Sequence, residues 1–67
     1  MEFWHVGFHR NGSSGLRVLT GREHAIEVAC GILERGGEIF HLGPPDRPRE
    51  IGAEEIRRIH LQRKHRA

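Results

Sequence analysis

The strongest constraint on this chain is the alternation over Glu2–His9, followed closely by Asn11-Gly12. Side chains of a strand point to opposite faces in turn. Trp4, Val6 and Phe8 therefore share one face, and Phe3, His5, Gly7 and His9 the other. Asn-Gly adopts the positive φ angles of a tight reversal at little cost. Leu16–Leu19 supplies a short second strand, so residues 2–19 read as a hairpin. An isolated hairpin is marginal in water and needs an apolar layer against it.

The next segment provides that layer. Thr20-Gly21-Arg22-Glu23 has the pattern of a capping box, with Thr20 as the N-cap and Glu23 reaching back to it. A helix is predicted over about 21–35, with Ile26, Ala29, Cys30 and Leu33 as its buried stripe at i, i+3, i+4, i+7. Gly36-Gly37 stops it, because the residue after a helix favours a left-handed conformation that glycine accepts. Glu38–Leu42 is a third strand, Gly43–Pro48 a rigid loop, and Arg49–Ile51 a brief fourth strand. A second helix runs from Gly52 or Ala53 to about Lys64, with a thin apolar stripe of Ile56 and Ile59.

These elements predict one α+β domain over residues 1–67. Its sheet is mixed, with three to four strands: the N-terminal hairpin plus a crossover strand. It packs on one central helix, with a basic C-terminal helix that frays over 57–67. The expected order is 2-1-3, with strand 3 running in the same sense as strand 2. The first helix is then expected to cover Trp4, Val6, Phe8, Leu16, Val18, Phe40 and Leu42. The other face would show Phe3, His5, Leu19, Ile39 and His41, covered by a partner chain or by the second helix through Ile56 and Ile59. These seven form the expected interface, and the pattern points to self-association.

Composition narrows the function classes. With 67 residues, the chain is short for an enclosed pocket. Cys30 is the only cysteine, which rules out an intrachain disulfide and fits a reducing compartment. The N-terminus, Met1–His5, has neither a basic nor an apolar leader region, so the expectation is a complete, cytoplasmic chain. No run approaches the ~18 apolar residues of a membrane span, and no membrane partner is expected.

Six histidines raise the question of a metal. His5 and His9 lie about 13 Å apart along one strand, too far for one ion. His60 and His65 point ~140° apart on a helix. The best pair, His5 with His41, lacks further ligands, and no metal or cofactor is expected. Ser13 and Ser14 sit in a turn and Asp46 in the proline loop, so nothing links them into a catalytic set, and the chain reads as a non-enzyme. No glycine-rich phosphate cradle opens a helix, and no small-molecule substrate is indicated.

Charge is unevenly distributed. Residues 1–56 hold six Arg against nine acids, and residues 57–67 hold Arg57, Arg58, Arg63, Lys64 and Arg66 with no acid. That run is a candidate site for an anionic partner, nucleic acid above all. It also suits a solvated helix end, since cations favour the C-terminal half of the helix dipole and Glu54 stands four residues before Arg58. Phe3 and His5 are the sheet residues placed to stack bases. The run Trp4-His5-Val6-Gly7-Phe8, with Thr20–Glu27 and Gly52–Arg57, resembles short bacterial proteins of ββαβα layout without established activity. That resemblance implies the layout and carries over no site. The reading is a small non-enzymatic protein-interaction module, with a nucleic-acid-binding accessory protein as the alternative.

Overall fold

The computed structural model describes residues 2–66 and no side chain for Arg66. The elements are β1 (Phe3–Arg10), β2 (Ser13–Thr20), α1 (Arg22–Glu34), β3 (Glu38–Gly43), β4 (Ile51–Gly52) and α2 (Ala53–Arg66). One sheet has the order β2-β1-β3-β4, and both helices join the same buried cluster on one of its faces. The α+β reading and the 2-1-3 order hold. Every neighbouring pair is antiparallel, so the sheet is not mixed. β2 and β3 do run in the same sense, but β1 lies between them.

The hairpin turns through Asn11 (φ 53°) and Gly12 (φ 79°), the two positive angles of a type I′ turn. This two-residue loop sets Arg10 opposite Ser13 and hence Trp4 opposite Leu19. Even-numbered residues of β1 thus face odd-numbered residues of β2. Leu19 lies with Trp4 in the core, while Leu16 and Val18 pair with Gly7 and His5 on the far face. The expectation that α1 covers Leu16 and Val18 is therefore corrected, as is the placing of Leu19 at the interface.

A β-bulge makes the matching change on β3. Val6 pairs with Leu42 and Gly7 with His41, but Phe8 pairs with Ile39, leaving Phe40 without an opposite residue. Ile39 and Leu42, three apart, consequently both reach the core, and Phe40 is turned out. Ile39 is core and not interface, and Phe40 is not under α1.

α1 departs from the expected cap. Thr20 belongs to β2, and the N-cap is Gly21 (φ 86°, ψ 156°), with no side-chain cap hydrogen bond. The Gly21 amide donates to the Glu2 carbonyl at 2.8 Å, which fixes the corner between hairpin and helix. At the other end Gly37 N–H donates to Ile32 O (2.9 Å) and Gly36 N–H to Leu33 O (3.1 Å), with Gly36 left-handed at φ 85°. This is a Schellman stop. The buried stripe of α1 is Ala25, Ile26, Ala29 and Ile32, while Cys30 and Leu33 are only half-buried. On α2, Ile56 is fully buried and Ile59 packs partly against the core, so both leave the expected interface, and α2 lies on the side of α1 and does not cover the other face.

Candidate interaction surface

With both helices on one side, the other face of the sheet is bare. Phe3, Leu16, Val18 and Phe40 are 54, 56, 54 and 49% exposed, and all four belong to this face. Phe3, Leu16 and Val18 are placed there by the hairpin register, and Phe40 by the bulge. The Phe40 ring lies 6.3 Å from that of His9, which itself meets Ser14 Oγ at 3.2 Å. His5 and His41 are half-buried between these residues. The His41 ring lies over Gly7, where a Cβ would come within 2.8 Å of Nε2, so glycine at that position lets the ring lie flat. His41 Nδ1 is buried with no hydrogen-bond partner among the described residues.

Charge is sparse on this face. The strand residues directed to it include one carboxylate, Glu38 opposite His9, and no Lys or Arg. Of the seven residues expected at the interface, Phe3, His5 and His41 are brought together here. Sequence reasoning missed Leu16, Val18 and Phe40. The first two were recoverable from the two-residue turn, whereas the bulge that exposes Phe40 leaves no signal in Glu38–Gly43.

Part of the basic helix is engaged by α1. Arg63 donates to Glu23 at 3.0 Å, and Glu34 receives His60 at 3.0 Å and Lys64 at 3.8 Å. These contacts tie α2 along α1. Arg57 and Arg58 are exposed, and among the described residues no ion pair joins Arg58 to Glu54. The side chain of Arg66 lies outside the described residues. Another cation, Arg47, meets Glu50 (2.8 Å), Glu2 (3.4 Å) and Asp46 (3.7 Å), pinning the proline loop to the N-terminal strand.

Cys30 sits at the α1–α2 seam. Burial pushes its thiol up, Arg63 pulls it down and Glu34 adds to the rise. A thiol shifted upward is a poor nucleophile. Among the described residues no group of three or more His, Cys, Asp or Glu is placed to hold a metal ion, and no helix is long and apolar enough to cross a membrane.

Fold and surface together define a two-layer α+β domain with one bare, nearly uncharged sheet face. No protein-family model, curated protein or solved structure matches the chain.

Proposed function

We propose that this protein is a small, non-enzymatic interaction module that pairs with a second copy of itself through the bare sheet face. The observation that carries this reading is the set of four half-exposed apolar side chains, Phe3, Leu16, Val18 and Phe40, on one side of one sheet. Contiguous apolar patches of that kind mark interaction sites.

Shape and charge favour an identical partner. The principal extents of the molecule are 31 × 29 × 17 Å, so its broadest side covers roughly 900 Å². A standard interface buries about 800 Å² per partner. A partner has to use most of such a side to reach that size, and a second flat sheet, packed at the usual ~10 Å separation of stacked sheets, is of a shape to do so. Nucleic acid would require cations beside the aromatic rings, and the strand residues on this face supply none. The alternative, an anionic partner on α2, rests on Arg57 and Arg58, because Arg63 and Lys64 already meet carboxylates of α1. The single cysteine supports a cytoplasmic setting.

The test is a dilution series followed by amide NMR. Shifts that move with concentration are expected along β1, β2 and β3 at Phe3, His5, Leu16, Val18 and Phe40. Concentration-dependent shifts confined to α2, or none at all, refute the reading.

A further inference from the structure

We infer that the cleft between β2 and α1 binds an extended peptide, which adds to the free edge of β2 as a fifth strand. It would place an aliphatic side chain on Val28 and Ile32 and a carboxylate near Arg17 and Arg35. This surface lies on the helix side of the sheet, apart from the bare face.

The first observation is the edge itself. Among the described residues β2 is hydrogen-bonded only to β1, leaving the outer side of this eight-residue strand open. An edge strand presents unpaired N–H and C=O groups that accept another chain, and proteins usually blunt it with proline, a bulge, shortness or charged side chains. β2 contains no proline and its register with β1 is unbroken; its one charge, Arg17, is turned to the helix side, where it lines the cleft described next. The opposite edge, β4, is blunted by its length of two residues.

The second observation is a cleft of about 320 Å³ beside that edge, lined by Arg17 from β2 and by His24, Glu27, Val28, Gly31, Ile32 and Arg35 from α1. Val28 and Ile32 give it an apolar floor. Gly31 keeps it open: a Cβ there would meet nothing within 4 Å. Glycine inside a helix costs ~1 kcal/mol relative to alanine, and no neighbouring atom requires it at this position.

A strand added to β2 sends alternate side chains toward α1, directly over the cleft. Arg17 and Arg35 outweigh Glu27, so the lining has a net positive charge and suits a carboxylate two residues from the aliphatic side chain. Charge also disfavours β2 of a second copy as the occupant. Antiparallel pairing about the middle of β2 would bring the Arg17 side chains of the two chains together on one face, where like charges destabilise.

The experiment uses the fluorescein-labelled peptide Thr-Val-Thr-Glu-Thr-Val-Thr and fluorescence anisotropy on the full chain. A Kd on the order of 10–100 μM is expected. Gly31→Leu starts from a Cβ in open space and extends into the cleft, so it should weaken binding at least about tenfold, or about 1.4 kcal/mol, with the fold unchanged by circular dichroism. Arg17→Glu should weaken it as well. The same peptide with Lys in place of Glu, or with alternate backbone amides N-methylated, should not bind. No binding at about 1 mM would overturn the inference. Equal binding by Gly31→Leu, by the Lys peptide or by the methylated peptide would do so too.

Discussion

Ile56 is the one fully buried side chain among the described residues of α2, and Ile56→Ala should nearly detach that helix. The substitution removes three carbons from a site with 0% exposure. At ~0.8 kcal/mol per buried methylene, the transfer loss is ~2.4 kcal/mol. A void that does not collapse adds on the order of 1 kcal/mol at ~24 cal/mol per Å³. The total, ~2.5–4 kcal/mol, compares with ~3–10 kcal/mol for the whole stability of a domain this size. The melting temperature should drop by roughly 10–30 °C, at 4–8 °C per kcal/mol. Urea titration followed by far-ultraviolet circular dichroism and Trp4 fluorescence measures the loss. Ile59→Ala, at a half-buried site on the same helix, should cost less than half as much. A loss below ~1 kcal/mol for Ile56→Ala with an unchanged urea slope would refute the packing of α2 on this core.

The start of α1 gives a paired test: Thr20→Ala should be nearly neutral because no side chain caps the helix, while Gly21→Ala should cost ~1–3 kcal/mol at φ 86°, ψ 156°; the reverse order would restore the Thr20 cap. Cys30 should react with iodoacetamide much more slowly in the folded protein than in urea, and equal rates would contradict its placement at the seam. Because its folded thiol holds the proton more tightly, its contribution to stability is complete below the unfolded thiol's ~8.5 and is lost as pH rises toward the folded value. The urea midpoint of the natural protein should therefore fall more between pH 7.5 and 10 than that of Cys30→Ala. Arg63→Gln with Lys64→Gln removes only exposed pairs and should cost at most about 1 kcal/mol; a larger loss would make the α1–α2 ion pairs principal supports.

Much of this fold is legible in the sequence, because local signals and global packing agree there. Asn11-Gly12 sets the hairpin, Gly36-Gly37 stops α1, and the alternation of β1 marks Trp4 and Val6 as core. The face assignments fail where one residue decides the outcome. A two-residue turn pairs even with odd positions, which sends Leu19 inward and Leu16 and Val18 outward. That rule is written in the sequence, and counting across the turn recovers it. The bulge at Phe40 is not: strict alternation over Ile39–Leu42 puts Phe40 and Leu42 together, whereas the bulge puts Ile39 and Leu42 together. The false capping box has a similar origin. Thr20 and Glu23 have the right spacing, but pairing of Thr20 with Phe3 extends β2 through the cap position. The pairing of Arg63 and Lys64 in the basic run of α2 is not legible, because their acidic partners, Glu23 and Glu34, lie about 30–40 residues earlier on another helix.

The most direct test of the central claim is the mass in solution, by sedimentation equilibrium, of the natural protein and of Val18→Lys at about 100 μM. Val18 is 54% exposed in the single chain, so lysine there leaves the fold intact, as circular dichroism would show, and charges the middle of the bare face. The account predicts 2 × 7.7 = 15.4 kDa for the natural protein and 7.7 kDa for the variant. A natural protein of 7.7 kDa, or a folded Val18→Lys variant that remains at twice that mass, would contradict it.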